Sequence, residues 1–307
     1  MFHSLDHAVI AVRDLEVATE TYTRLLGRRP SWRGWHPQRG TANTLFRLEN
    51  TYLELLSPES HGAVAADLAR RLDHSGEGLL ALAFGTNDAA ACAAALREHG
   101  IAARDPVDGE GRESTSGAVR GWSTVHWPET ATRGVMLFAI EHRSPAETLP
   151  LAEPQASTPD VVAGMDHVVI MTADASAACT LYRDRLGLRL ALDRTFESRG
   201  LRLLFFRVGG ITVECAARLG AARLDAARLD APRLDVTPDA PDRLLGISYR
   251  VSDLPAAHDR VVKAGFDVSA VRQGQRPGTL VCTVRRETHG VATLFIGPAG
   301  VAQGQPS

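Results

Sequence analysis

A histidine and a glutamate recur as a pair along this chain. His7 stands in LDHAVIAV and Glu54 in TYLELL; His167 stands in MDHVVIM and Glu214 in ITVECA. Each pair is 47 residues apart, and the second follows the first by 160 residues. An imidazole and a carboxylate brought together can hold a divalent ion or pass a proton. The alternation around each reads as a strand, with His7 sharing a face with Leu5, Val9 and Ala11, and Glu54 with Tyr52 and Leu56. A carboxylate buried alone among such neighbours costs several kcal/mol, so it needs a cation or a hydrogen-bond donor. Two plainer readings stand beside the chemical one: a solvated sheet face, or a duplicated structural His–Glu hydrogen bond.

The elements that position these residues repeat with them. Asp6, Val9, Ile10, Asp14, Ala18, Tyr22, Leu26, Gly27, Arg29, Arg39, Gly40, Phe46 and Arg47 all recur 160 residues later, which with His and Glu makes 15 identities over 49 positions. Such a repeat fixes the architecture before any local pattern does. Residues 5–12 read as a strand. Asp14 can cap a helix with Leu15, Ala18, Tyr22, Leu25 and Leu26 on one face, ended by Gly27. Pro30 to Gly40 reads as loop or irregular strand, and Thr44–Leu48 and Thr51–Leu56 as strands about an Glu49-Asn50 turn. A weaker copy runs from Leu79–Phe84 through a helix from Asp88 to Gly100, then Trp122–Trp127 and Gly134–Ile140. The last copy has Gly246–Val251, a helix from Asp253 to Gly265, Leu280–Arg285 and Val291–Ile296. The expectation is an α+β fold of four βαβββ modules in two tandem domains, residues 1–145 and 160–300, with a low-complexity insert at 216–243. The five-residue AARLD period of that insert suits neither helix nor strand, so it reads as an exposed, dispensable linker.

Composition bounds the function. The chain has 307 residues, room for about two domains, and a net charge of −2, which gives no electrostatic case for nucleic acid or an anionic membrane. Cys92, Cys179, Cys215 and Cys282 are widely spaced and read as buried free thiols. With no signal-like start and no apolar run long enough for a bilayer, the expectation is a cytoplasmic monomer or homodimer that binds a small molecule.

The motifs DH-V-I at the first strand, Y-x3-LG at the helix end, and Glu on the fourth strand resemble the vicinal oxygen chelate superfamily. That superfamily includes glyoxalase I, methylmalonyl-CoA epimerase, extradiol dioxygenases and bleomycin-resistance proteins. WHPQRGTANTLFRLENTYLELLSP resembles its glyoxalase-like branch, and ETHGVATLFIG resembles the terminal strands of the epimerases. The resemblance covers most of the chain and is strongest for modules one and three. It implies paired modules curved into one concave sheet, a divalent metal ion (Zn, Ni, Mn or Fe) held by His and Glu, and chelation of two neighbouring substrate oxygens.

Carried over residue by residue, the ligand set is incomplete. His7, Glu54, His167 and Glu214 match, whereas Leu79 and Phe138 stand in module two, and Gly246 and Leu294 in module four. Three arrangements follow: a site completed by another residue, with His126 joining His7 and Glu54 as a 2-His-1-carboxylate set; a shared site from modules one and three; or a metal-free cleft. The implied activities are a metal-dependent lyase or isomerase with Glu54 and Glu214 as proton-moving carboxylates, an extradiol-type dioxygenase, or a metal-free binding or antibiotic-resistance protein. His36, Arg39 and Asn43, in H-P-x-R-G-T-x-N, and Trp122 read as substrate-binding, with Arg39 suited to an anion. Trp32, Trp35 and Trp127 could add to a pocket wall. The N-terminal domain is the favoured place for chemistry.

Overall fold

The computed structural model describes residues 1–155, 160–219 and 240–299. The first module is β1 (Ser4–Ala11), α1 (Leu15–Leu26), β2 (Trp32–His36), β3 (Thr41–Arg47) and β4 (Tyr52–Pro58). After α2 (Ala63–Ser75) the second module runs β5 (Gly78–Gly85), α3 (Ala89–Glu98), β6 (Val107–Glu113), β7 (Val119–His126) and β8 (Met136–His142). The third is β9 (Val162–Thr172), α4 (Ala175–Cys179), β10 (Arg189–Phe196), β11 (Leu201–Val208) and β12 (Ile211–Arg218). The fourth is β13 (Arg243–Val251), α5 (Leu254–Lys263), β14 (Arg272–Gln273), β15 (Thr279–Val284) and β16 (Ala292–Pro298).

Local chemistry explains the helix starts. Asp14, Asp88, Asp174 and Asp253 each accept a backbone N–H of the following first turn, satisfying donors the helix cannot pair itself. Gly27 closes α1 at φ 68°, a left-handed conformation that a glycine adopts without Cβ strain. In the third module the matching helix is less regular: α4 passes into a π-helical turn over Thr180–Arg185.

Modules pair in sequence order. β1 lies parallel to β4 and antiparallel to β5, and β5 lies parallel to β8. The first eight strands close into a barrel in the order β1-β4-β3-β2-β6-β7-β8-β5. Closure depends on β2 pairing with β6 through Gly34–Glu113 and Trp35–Arg112. The last eight form an open sheet, β10-β11-β12-β9-β13-β16-β15-β14, joined at the centre by β9 and β13. This pairing overturns the alternative in which modules one and three share a site.

One apolar core runs under both sheets and the helices that cover them, and includes the fully buried Tyr22 and Tyr182. Polar contacts pin the halves across it, three of them through side chains of the core and its rim. Tyr22 Oη donates to the Thr288 carbonyl (3.1 Å), His289 Nδ1 meets Glu77 Oε2 (2.7 Å), and Arg133 forks onto Asp242 (3.0 and 3.1 Å). Gly290 has no room for a side chain, since a Cβ there would sit 2.1 Å from the Glu77 carbonyl oxygen. All four cysteines are free and buried.

The insert boundaries shift. Ala216, Ala217 and Arg218 complete β12, Asp242 is buried against Arg133, and Arg243 opens β13. The period-five segment itself lies outside the described residues. Among the described residues no helix is long and apolar enough to cross a membrane.

Candidate functional site

Strand parity aims His7, Val9 and Ala11 of β1 and Tyr52, Glu54 and Leu56 of β4 into the barrel. One end of the barrel is closed by α2, whose Leu68 and Leu72 pack on Ala11, Leu56 and Leu80. Trp32, Leu45, Tyr52 and Leu149 form a second inner cluster. A small cavity of about 40 Å³ remains, lined by polar and charged groups among aromatic rings.

His7 and Glu54 meet in this cavity with Nε2 and Oε2 3.5 Å apart, both side chains nearly buried. His7 Nδ1 donates to Asp6 Oδ1 (2.7 Å), which fixes the tautomer and turns the Nε2 lone pair toward Glu54. Asp6 also receives His142 Nε2 at 2.9 Å. Burial pushes the Asp6 carboxyl up, but the bonds from His142 and His7 more than offset this and hold it well below the usual range. Tyr52 stacks on the His7 ring, centroids 4.4 Å apart, and Phe138 presents its edge at 5.6 Å.

The β2–β3 hairpin supplies the other wall. Asn43 Nδ2 donates to Glu54 Oε1 (2.8 Å) and lies 3.2 Å from His36 Nε2, while His36 Nδ1 meets Thr41 Oγ1 at 2.8 Å. Burial lowers the His36 pKa to about 4, against the pull of Glu54, so this imidazole is neutral at pH 7. Asn43 Oδ1 is buried without a partner among the described residues. Arg39, from the β2–β3 turn, and Trp122 of β7 also line the cavity. Arg120, which the sequence reading missed, lines it too, with its guanidinium over the rings of Trp32 (5.5 Å) and Tyr52 (5.7 Å). No motif marks Arg120; a buried arginine held by rings far away in sequence leaves no local signal.

His126 does not join the pair. Its ring stacks on Phe138 at 5.2 Å, the same phenylalanine that meets His7, and burial lowers its pKa to about 4. Bulges in the β1–β5 pairing also revise the expected equivalences. Leu79 packs on the outer core, and Ala83 is the β5 residue opposite His7. The metal implied by resemblance was tested on this donor set. His7 Nε2 (3.5 Å) and His36 Nε2 (3.9 Å) both approach the Glu54 carboxylate, but among the described residues no three His, Cys, Asp or Glu side chains are placed to hold one ion. Asn43 bridges His36 to Glu54, so the His36 lone pair is already used, and Ala83 and, rather than the expected Phe138, Ile140 stand where a second module would give ligands. The residues present do not fit a three- or four-ligand metal centre.

In the open sheet His167 Nε2 and Glu214 Oε2 are 3.9 Å apart, and His167 Nδ1 lies 3.3 Å from Asp166. Burial works against the His167 imidazolium, yet Asp166 and Glu214 carry its pKa up; burial raises Glu214. The positions of His36 and Asn43 are taken here by Phe196 and Leu203. Gly246 of β13 has no side chain, and His289 is committed to Glu77.

The model of the Glyoxalase-like domain family matches residues 5–187, more than half the chain, and that of the Glyoxalase/Bleomycin resistance protein/Dioxygenase superfamily matches residues 166–283. No curated protein matches the sequence. Among solved structures, a mutant of 4-hydroxymandelate synthase from Streptomyces coelicolor is similar at TM-score 0.66 and 13% identity, covering 99% of this chain and 94% of that one. A hypothetical protein from Staphylococcus aureus is similar at TM-score 0.62 and 10% identity, covering 95% and 98%. These identities speak to the fold alone. With one family model spanning both His7–Glu54 and the return of the repeat at His167, the chain belongs to the glyoxalase-like family of the glyoxalase, bleomycin-resistance and dioxygenase superfamily.

Proposed function

We propose that the N-terminal barrel is a lyase or isomerase site that moves a proton on a small substrate with vicinal oxygens. The observation that carries this is the His7–Glu54 pair, two proton-accepting groups facing each other at 3.5 Å inside a small cavity. Two acceptors so placed are satisfied by a shared proton or by a substrate donor, and a pair of this kind can take a proton from a carbon next to a carbonyl, leaving the enolate, and return it. Asp6 holds His7 in the tautomer that presents Nε2. Asn43 Nδ2 orients Glu54, and its free Oδ1 is an acceptor for a substrate hydroxyl. Arg39 and Arg120 favour the negative charge that develops on substrate oxygen as the proton leaves. No step is routed through a metal, because the donor set does not fit one.

A second reading has its own support. Ala83 and Ile140 fill the places of second-module ligands, as suits a cleft that binds without turnover. The two readings separate in D2O. Small hydroxyketones and 2-oxo acids incubated with the protein should exchange a carbon-bound proton, read by NMR, and Glu54→Gln should slow this at least a hundredfold. Exchange that never rises above the protein-free rate would leave the binding reading in its place.

A further inference from the structure

We propose that the cavity is built for a small monocarboxylate bearing an oxygen on the neighbouring carbon, a 2-oxo or 2-hydroxy acid, gripped by Arg39 and Arg120. This deepens the proposed function and rests on reading the cavity as a substrate site. Among the described residues the Arg39 side chain makes no hydrogen bond or ion pair, although it lines the cavity and lies in the field of Glu54. Arg120 is 7% exposed and lies over the rings of Trp32 and Tyr52, with no carboxylate paired to it among the described residues. A buried guanidinium without an anion is costly, and proteins keep one where an anion arrives. Two such charges face a single carboxylate, Glu54, whose oxygens already engage Asn43 and His7. His36 is neutral and adds nothing.

The planar fork of arginine matches a carboxylate through two parallel hydrogen bonds. Glu54 decides between anions. With Arg39 and Arg120 it leaves the site one net positive charge, which a monocarboxylate neutralises and a phosphate dianion exceeds. The enclosed volume, about 40 Å³, limits the occupant to a few non-hydrogen atoms. A 2-oxo or 2-hydroxy acid also carries the adjacent oxygens on which the His7–Glu54 pair could act.

Calorimetric titration of the full chain with pyruvate, neutral hydroxyacetone and inorganic phosphate tests this. Pyruvate should bind at least tenfold tighter than hydroxyacetone or phosphate. Arg39→Gln, at a turn, and Arg120→Met should each weaken pyruvate at least tenfold, with Arg120→Lys, which keeps charge but loses the fork, in between. Melting curves show which variants fold; Arg39→Gln keeps the test open if Arg120→Met does not. Glu54→Gln should tighten pyruvate while abolishing proton exchange. Equal binding of hydroxyacetone, preference for phosphate, or indifference to Arg39→Gln would each overturn the inference. Arginine-dependent pyruvate binding without any exchange would uphold it while removing the proton-transfer reading. Exchange of neutral hydroxyketones unaffected by either arginine would do the reverse.

Discussion

In the N-terminal half His7 and Glu54 face each other at 3.5 Å within a closed barrel, and His7 is 3% exposed; in the C-terminal half His167 and Glu214 stand 3.9 Å apart on an open sheet, and His167 is 21% exposed. The pair is common to both. The difference lies in the second and third strands of the module. In β2 and β3, His36 and Asn43 build a wall against Glu54, and β2 reaches β6 to close the barrel. In β10, Phe196 replaces His36, most of the strand is exposed, and Arg194 and Arg199 stack on that phenylalanine instead. On the far edge β14 is two residues long. A duplicated His–Glu pair is therefore not a duplicated enclosure; the flanking strands decide whether the pair is walled in.

That contrast can be broken at several points. After loss of Glu54 itself, the largest effect should come from Asp6→Asn. It removes the anionic acceptor and offers an amide N–H that can hold His7 in the other tautomer, and proton exchange should fall one to two orders of magnitude, the scale of losing a positioned acid–base group. Asp166→Asn, on the looser 3.3 Å contact, should leave exchange within twofold.

Next in size is the joint between the halves. The Asp242 side chain is fully buried and forks onto Arg133. Asp242→Ala should cost about 3 kcal/mol in denaturant unfolding, the scale of breaking a buried pair. A cost under about 0.5 kcal/mol would mean that the halves do not depend on it.

Acid should discriminate between the halves. The His36 pKa lies near 4 in the fold and at 6.5 unfolded, so the unfolded chain binds more protons between those values and stability falls as pH drops from 7 to 5. The loss from His36 alone should be about 2 kcal/mol. His36→Phe should flatten this dependence. The raised pKa of His167 works oppositely: its contribution is complete below 6.5 and fades as pH rises through its folded value. His167→Phe should therefore steepen the acid loss. The smallest effects are the helix caps. Asp14→Ala and Asp253→Ala should each cost about 1 kcal/mol, read as a shift in melting temperature.

Much of this was legible in the sequence because it is written in local, repeated chemistry. Four aspartates mark four helix starts, and alternating apolar residues mark the strands that carry His7 and Glu54. What escaped depends on partners. The helix α2 has only Ala65, Leu68 and Leu72 as an apolar stripe and no side-chain cap at Gly62; it is stabilised by the barrel end it covers. The strand β6, VDGEGRE, has a composition that disfavours strand and forms between β2 and β7. Bulges beside Leu5 and Val9 moved the β5 equivalence from Leu79 to the interior. His126 shares a barrel with His7, yet Phe138 packs against both rings, which spacing along the chain does not reveal.

The central claim is that the closed barrel alone does chemistry, and one paired comparison tests it most directly. Glu54→Gln and Glu214→Gln each exchange a carboxylate for an amide of equal size at matching positions of the repeat. Proton exchange of a small 2-oxo acid in D2O, followed by NMR, should fall at least a hundredfold in Glu54→Gln and stay within twofold of wild type in Glu214→Gln. Equal loss in both, or loss in Glu214→Gln alone, would contradict the account.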